Sequence, residues 1–318
     1  MNVLVTGATT PLGRAIVDGL LATRNVGHVL GVGAELWGPG LPSDGTRFTY
    51  ERVDLTRARS VHDLLYGPAR ARGIDTVLHG VLHRAVRDRG DHIHAVNVEA
   101  TRMLLHECGR HPGIRRFVLR SGAEVYAVRP DEPNLLDEDH PMVFDPAAPQ
   151  WLRDRVEADL LTCAQIGTAR ISIAVLRCAE ILADGLASQL WDYLGSRVCL
   201  RPLGFDPMIN LLSIEDAVAA IIRGLAADAR GAYNIPGFDT LPLSRLIARW
   251  GRRDLPVPGP LLAPLYWLRT RTVGFEFRYD LNLRRFHLGG ILDGARARAS
   301  LGYVPRHAMT GPAPRAPS

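Results

Sequence analysis

The chain has 318 residues, of which 47% are hydrophobic and 22% charged, a composition typical of a globular protein with one large or two modest domains. Its net charge of +5 comes from scattered arginines in a sequence without lysine. This excludes lysine chemistry such as a Schiff base and argues against a nucleic-acid surface. No uncharged apolar stretch reaches the ~18 residues of a membrane span.

The cysteines and the first residues predict the compartment. The four cysteines lie far apart without paired spacing, which predicts reduced thiols rather than disulfides or a metal site. The first predicted strand starts at Asn2, so we expect no signal peptide and a cytoplasmic protein.

Strand-like and helix-like runs alternate from Met1 to about Arg177. The predicted strands are Val3–Val5, His28–Val32, Phe48–Val53, Asp75–His79, Arg116–Leu119 and Ile171–Leu176. The predicted helices are Arg14–Ala22, Ser60–Tyr66, Asp91–Cys108 and Arg153–Ala164. This alternation predicts an α/β fold, a doubly wound parallel sheet with helices on both faces. Ligands of such sheets bind beyond the carboxyl ends of the strands, so the residues after each strand are the first site candidates.

The first strand leads into a glycine-containing turn and then a helix. Backbone N–H groups and the positive end of the helix dipole face this turn, which makes it a natural pyrophosphate site. Gly7 allows the tight turn and Gly13 lets the helix approach the strand, whereas Thr10 stands at the place of a middle glycine and narrows the turn. The predicted cofactor contacts in this turn are Gly7, Thr9, Thr10, Pro11, Leu12 and Gly13.

The ends of the next two strands supply further candidates. Gly33 stands where dinucleotide folds usually place the acidic residue that binds the adenosine ribose of NAD, and Glu35 lies two residues further on. No arginine stands at that strand end to favour NADP, so the choice between NAD and NADP stays open. Asp54 follows the third strand, and its alternative to contacting a cofactor is the role of a helix N-cap or a turn aspartate.

Several motifs in the same order resemble one protein family. Asn97–Cys108 is similar to an Asn-Val-x-Gly-Thr-x-x-Leu-Leu helix, and Arg116–Tyr126 to an Arg-Phe-Val-x-x-Ser-Ser-x-x-Val-Tyr strand. Met208–Ala217, Gly231–Ile235 and Leu292–Pro305 match three later segments. Together they resemble the extended short-chain dehydrogenases/reductases, the NAD-dependent epimerase/dehydratase family, over nearly the whole length.

The resemblance implies a domain organisation, a cofactor and an oligomer. A dinucleotide-binding Rossmann domain spans 1–177 and is rejoined by 209–235. Residues 178–208 and 236–306 form a smaller substrate lobe, and residues 307–318 are predicted to be a disordered tail. A homodimer would pair helices 91–108 and 153–164. NAD or NADP is the implied cofactor, contacted beyond the turn by Asp54, Leu55, Gly80, Val81, Asn97 and Arg155.

The catalytic positions of the family are replaced in this chain. Family enzymes use a Ser or Thr, a Tyr and a Lys four residues after it to move a proton beside the nicotinamide. Aligning the Glu-Ala-Asp run at 157–159 with the family's Glu-Ala-Glu run places Trp151 at the tyrosine position and Arg155 at the lysine position. Gly122 falls at the Ser/Thr position. An indole N–H is neither acid nor base, and the pKa of a guanidinium is too high for proton transfer.

These replacements lead to three hypotheses. The leading one is an NAD(P)-binding protein that is atypical or non-catalytic. The second is an active oxidoreductase, epimerase or dehydratase on a small carbonyl or sugar-type substrate, with Glu124, Ser121 or Tyr126 as a non-standard catalytic group. The third is an interaction scaffold whose nucleotide site is closed. Glu180 stands near the position of an asparagine that meets the diphosphate in sugar-nucleotide epimerases, so its charge argues against a UDP-sugar.

Overall fold

The computed structural model describes residues 1–36, 40–43, 45–81, 90–186, 188–226, 229–273 and 277–309. Within these ranges none of the helices combines the length and the apolar character that crossing a bilayer requires. Residues 310–318 of the predicted tail lie outside them.

The strands and helices alternate as the sequence predicts. The strands are β1 (Asn2–Thr6), β2 (His28–Gly33), β3 (Phe48–Arg52), β4 (Thr76–His79), β5 (Arg116–Gly122), β6 (Leu135–Leu136), β7 (Ser172–Cys178), β8 (Val198–Pro202), β9 (Met208–Leu211), β10 (Gly231–Ile235), β11 (Asp239–Pro242), β12 (Arg253–Val257) and β13 (Ile291–Leu292). The helices are α1 (Pro11–Ala22), α2 (Ala58–Leu64), α3 (Asp91–His94), α4 (Ala100–Arg110), α5 (Gln150–Cys163), α6 (Gln189–Gly195), α7 (Ile214–Ala226), α8 (Leu243–Arg249), α9 (Gly259–Val273), α10 (Tyr279–Leu288) and α11 (Ala295–Leu301). A π-helical turn at Leu65–Ala69 extends α2, and another at Ala95–Glu99 joins α3 to α4.

Seven parallel strands form the central sheet in the order β10-β7-β5-β4-β1-β2-β3, so the predicted doubly wound fold is confirmed. Side chains alternate across the sheet. Val3 and Val5 pack in one core with residues of α1 and α7, and Leu4 packs in the opposite core with residues of α2 and α4. The carboxyl ends of β1 and β4, on which a ligand of this fold sits, are adjacent at the centre of the sheet.

The first helix begins earlier than the sequence pattern predicts. The periodic apolar residues predict a start at Arg14, whereas α1 starts at Pro11. Thr10 is its N-cap and accepts a hydrogen bond from the Gly13 amide, and proline is well suited to the first helical position. The N-terminus of α1 therefore lies directly in the glycine turn.

A third core belongs to a smaller lobe, in which α6, α8, α9 and α10 surround buried aromatic residues such as Tyr193 and Phe286. Of the segment 209–235, β10 joins the central sheet, but β9 instead pairs antiparallel with β11, so that part of the predicted return is wrong. Leu292 and Leu301, predicted to lie in the lobe, pack in the core of the central sheet. Short apolar runs of this kind do not specify their pairing partner.

The first residues of the predicted tail are fixed to the body of the protein. The His307 amide donates to Asp216 Oδ2 at 2.9 Å, and its imidazole lies 2.7 Å from Asp216 Oδ1. The Met309 side chain is buried in the lobe. The prediction of disorder is therefore wrong for residues 307–309, because two buried carboxylates, Asp216 and Asp239, accept hydrogen bonds from the amides of His307 and Met309.

Candidate functional site

The turn between β1 and α1 is held by two glycines and one hydroxyl. Gly7 has a φ of +72°, in the left-handed region that favours glycine. A Cβ on Gly13 would overlap the carbonyl oxygen of Gly7, so only glycine fits where α1 passes β1. The Thr10 hydroxyl accepts from the Gly13 amide at 3.0 Å and donates to the Gly7 carbonyl at 2.9 Å. The Thr10 side chain is thus bonded to the turn's own backbone, ahead of Pro11 and the buried Leu12.

A carboxylate lies at the end of β2 although Gly33 has no side chain. Glu35 Oε2 is 2.9 Å from the position that a Cβ on Gly33 would take. It accepts a hydrogen bond from the Thr9 hydroxyl at 2.8 Å, and the Tyr50 hydroxyl donates to the Glu35 carbonyl at 2.7 Å. A carboxylate from two residues further along the chain therefore lies beside Gly33.

The residues after β3 form a turn and part of the core. Asp54 Oδ1 accepts from the Thr56 amide at 3.0 Å and from the Thr56 hydroxyl at 2.5 Å. The hydroxyl contact is the largest of the effects that lower the pKa of Asp54, and Arg57 at 3.0 Å adds to it. Leu55 is buried. These contacts fit the alternative role that the sequence left open for Asp54, a cap on the turn before α2.

The residues after β4 lie against the glycine turn. The Gly80 amide donates to the Thr6 hydroxyl at 3.0 Å. The Val81 side chain is 3.3 Å from the position that a Cβ on Gly7 would take. Val81 also borders a small internal cavity of about 10 Å³, together with Asn97, Ser121 and Arg155. The structure therefore brings the candidates that follow β1, β4 and β5 into one region at the carboxyl edge of the sheet.

An ion pair occupies the space that a side chain at position 122 would need. Arg155 Nη1 is 2.7 Å from Glu124 Oε1, and only 3% of the arginine side chain is exposed. A Cβ on Gly122 would overlap the terminal atoms of both groups. Trp151 is buried one helical turn before Arg155 on α5. Gly122 and Trp151 thus lie near Arg155, and the charge of Arg155 is neutralised by a carboxylate.

Two other candidates belong to a buried polar network behind this ion pair. The Ser121 hydroxyl donates to Asp159 Oδ2 at 2.6 Å, and Arg177 Nη2 donates to Asp159 Oδ1 at 2.7 Å. The Tyr126 hydroxyl donates to Asn234 Oδ1 at 2.6 Å and accepts from Arg177 Nη1 at 2.9 Å. Burial raises the pKa of Tyr126 to about 12. Tyr126 is therefore protonated at neutral pH, and the hydroxyls of both candidates are engaged within the core.

The carboxyl edge of the sheet opens into a cleft of about 890 Å³ between the sheet and the smaller lobe. Glu124 and Trp151 line it from the sheet side. On the lobe side, Glu180 Oε2 is 2.6 Å from Arg285 Nη1, and the Ser188 hydroxyl also donates to Glu180. The repulsion predicted between Glu180 and a diphosphate is weakened because Arg285 balances its charge.

Sequence reasoning missed two arginines that organise this region. Arg177 is 3% exposed and lies near the end of a mostly apolar strand. An arginine in a buried strand requires a carboxylate partner, so this pattern could have predicted the ion pair. Arg285 carried no such signal, since its partner Glu180 is 105 residues away in the chain. Of the described residues, no three His, Cys, Asp or Glu side chains are grouped to hold a metal ion.

Comparison with known proteins identifies the family. The model of the NAD dependent epimerase/dehydratase family matches residues 3–235. The chain belongs to this family. A Mycobacterium tuberculosis protein described as uncharacterised is 30% identical over 311 residues, covering 96% of this chain and 80% of that protein. A Streptomyces 3-diazoavenalumate denitrifying reductase is 28% identical over 318 residues, covering 96% and 97% of the two chains.

Solved structures of other family members share the fold. The dTDP-glucose 4,6-dehydratase of Streptomyces venezuelae, solved with NAD bound, has a TM-score of 0.71 and 19% identity, with 97% of this chain and 93% of that chain covered. The UDP-glucuronic acid 4-epimerase of Bacillus cereus, solved with UDP-glucuronic acid and NAD, has a TM-score of 0.69 and 16% identity, with 97% and 95% covered. At these identities the likeness concerns the fold.

Proposed function

We propose that this protein binds NAD in the glycine turn and does not carry out the tyrosine-dependent proton transfer of its family. The Arg155–Glu124 ion pair carries this proposal, because it fills the space that a serine side chain at position 122 would need. Trp151, at the tyrosine position, offers only an N–H donor. A site built this way holds a fixed pair of charges where family enzymes hold a group that exchanges a proton.

The residues present fit NAD. Gly13 lets the first turn of α1 pack directly against the Gly7 carbonyl, so the backbone N–H groups at the N-terminus of α1 face the turn, where a pyrophosphate would bind. Glu35 places a carboxylate beside Gly33, where it would accept hydrogen bonds from the adenosine ribose. A carboxylate there favours NAD, because it would repel the extra phosphate of NADP. Bound NAD would supply or accept a hydride at the cleft.

Asn97 and Arg155 are the proposed contacts on the nicotinamide side, since both border the cavity beside Val81. The guanidinium of Arg155 donates hydrogen bonds but keeps its proton at any physiological pH. Residues 178–208 and the first part of 236–306 are proposed to cover the ligand as the substrate lobe. The chain's own residues thus bind and orient ligands in this proposal, and move no proton.

A reductase is a second candidate function. It is favoured by the full-length similarity to the Streptomyces reductase, 28% identical over 97% of that protein. With Trp151 and Arg155 at the proton-transfer positions, such a reductase would need a substrate that accepts a hydride without a proton from the protein. The active alternative with Glu124 as a base would first have to separate Glu124 from Arg155.

Isothermal calorimetry with NAD and NADP, each oxidised and reduced, tests the proposal. We expect heat of binding for NAD and at least about tenfold weaker binding of NADP. No heat with any form would favour the scaffold with a closed nucleotide site. Steady cofactor turnover with a panel of carbonyl compounds or sugar nucleotides would contradict the non-catalytic proposal in favour of an enzyme.

The variant combining Gly122→Ser, Trp151→Tyr and Arg155→Lys tests whether the family's side chains at these positions give the protein catalytic activity. It restores the three family side chains, and proton transfer by such a group typically contributes ~10²–10⁴-fold to a rate. We expect no turnover, because Glu124 remains in the space that the new serine needs. Clear oxidation of reduced cofactor by this variant would show that the site lost only its acid.

A further inference from the structure

The polar side chains that line the cleft are engaged with the protein itself. Asn210 Nδ2 donates to Thr240 at 2.8 Å, and its Oδ1 accepts from the Gly237 amide at 2.9 Å. Gln189 Oε1 accepts from the Arg278 amide at 2.8 Å, and its Nε2 donates to Asp192 at 3.4 Å. These groups therefore have few donors or acceptors left for a ligand.

Six of the nine charged side chains that line the cleft lie in ion pairs. Arg285 pairs with Glu180 at 2.6 Å, and Arg278 pairs with Asp280 at 2.6 Å. Arg129 pairs with Glu132 at 3.2 Å, and Glu124 pairs with Arg155 at 2.7 Å. A diphosphate would have to compete with these carboxylates for each guanidinium, and breaking a partly buried pair leaves its carboxylate without a partner.

One arginine of the cleft lies outside these pairs. In the part of the chain that the structure describes, Arg284 makes no hydrogen bond or ion pair, and it lies exposed on α10. An exposed cation contributes little to binding. The carboxylates of Asp145 and Asp192 also line the cleft, so its net charge offers no attraction for a dianion.

The walls between these groups are apolar. They are formed by Val128, Val143, Phe144, Trp151, Leu152 and Leu281. A cleft of about 890 Å³ holds a small molecule of more than one ring, and apolar walls with few free polar groups are typical of sites for such ligands.

We propose that the cleft binds an uncharged, mainly apolar molecule rather than a nucleoside-diphosphate sugar. The proposal deepens the proposed function, since it names the ligand that would lie beside NAD. It rests on the proposed function in one respect, that the cleft is the ligand site. The ion pairs of the cleft do not depend on whether NAD binds.

The test uses two probes on the full-length protein, with and without saturating NAD. The neutral probe is 2-acetylnaphthalene and the anionic one is UDP-glucose, each titrated by calorimetry. We expect 2-acetylnaphthalene to bind at least about tenfold more tightly than UDP-glucose. No binding of the neutral probe, or tighter binding of UDP-glucose, would overturn the proposal. If NAD itself did not bind, the proposed function would be wrong, but the affinities of 2-acetylnaphthalene and UDP-glucose could still be compared.

Two variants make the test specific to the cleft. Glu180→Gln releases Arg285, so we expect the affinity for UDP-glucose to rise at least about threefold while that for 2-acetylnaphthalene stays unchanged. Leu281→Asn keeps the side-chain size and makes one wall polar, so 2-acetylnaphthalene should bind about threefold to tenfold more weakly. Leu203→Asn, at an exposed position that does not line the cleft, is the matched control. Equal effects of Leu281→Asn and Leu203→Asn would place the neutral probe elsewhere and overturn the proposal.

Discussion

Gly122 lies at the end of β5, next to the ion pair of Arg155 and Glu124, and a side chain there is expected to destabilise the protein. In Gly122→Ser the new Cβ overlaps the terminal atoms of both groups, so the pair has to separate or shift. We expect the free energy of unfolding to fall by about 1–3 kcal/mol, the usual cost of overpacking. Urea unfolding measures the change. Gly109→Ser is the control, because a Cβ there meets no atom within 4 Å; equal losses in the two variants would contradict the argument.

Glu35 is the residue on which the choice of cofactor depends in the proposed function. A hydrogen bond to a charged group contributes about 1.5–3 kcal/mol, so Glu35→Gln should weaken NAD binding by about tenfold or more and narrow the gap to NADP. Calorimetry of both cofactors measures this. Asp63→Asn, which removes a carboxylate from exposed α2, should leave both affinities unchanged. If Glu35→Gln kept the same preference for NAD over NADP, a group other than Glu35 would determine that preference.

At the scale of elements, one histidine links two helices that flank the site. His94 Nδ1 on α3 is 3.0 Å from Asp154 Oδ1 on α5, and this hydrogen bond is the largest effect that raises the pKa of His94. Because the pKa is raised in the folded protein, the stabilisation is fully present below the ordinary pKa of about 6.5. It is lost as the pH rises through the higher folded value.

This linkage can be measured directly. An NMR titration should give a pKa for His94 above 6.5, and Asp154→Asn should lower it, because the hydrogen bond to a carboxylate is removed. Between pH 6 and pH 8 the urea midpoint of the native protein should fall, and it should fall less in His94→Gln. If Asp154→Asn left the pKa of His94 unchanged, charges other than Asp154 would be responsible for raising it.

The sequence predicts the elements well where the pattern is local. Thr6, Gly7 and Gly13 mark the strand, turn and helix correctly, because turn chemistry and periodicity act over a few residues. The periodic pattern predicts the start of α1 too late, because it takes no account of the Thr10 hydroxyl, which caps the helix at Pro11. The antiparallel pairing of β9 with β11 could not be predicted, since a four-residue strand with three apolar residues fits more than one sheet.

The same distinction applies to the site. The alignment that places Gly122, Trp151 and Arg155 at the family's serine, tyrosine and lysine positions is a prediction from the sequence, in which a motif sets the register of α5. The ion pair between Glu124 and Arg155 cannot be predicted from the sequence, because the approach of these two residues depends on how β5 and α5 pack. Likewise the pair of Glu180 and Arg285 joins a strand end to a helix of the lobe. A charge that appears repulsive in the sequence is balanced in the folded protein.

At the scale of the whole molecule, the predicted homodimer depends on the outer face of α4 and α5. Two apolar residues of these helices face inward: Leu104 and Val156 are buried in the protomer's own cores. The outer face instead carries Leu160, which is 38% exposed, and the pair of Arg102 and Glu157 at 3.2 Å. Such a polar face favours weak association, because exposed ion pairs contribute little.

We therefore expect a dimer that forms at high micromolar protein concentration and dissociates on dilution. Leu160→Arg adds a charge at the centre of the contact, where the symmetric partner would place the same charge, so the variant should stay monomeric. Light scattering over a concentration series measures the mass of each. Leu203→Arg, at a position 56% exposed outside these helices, is the control and should associate like the native protein. A monomer mass for the native protein at every concentration, or a dimer that survives Leu160→Arg, would rule out association through α4 and α5.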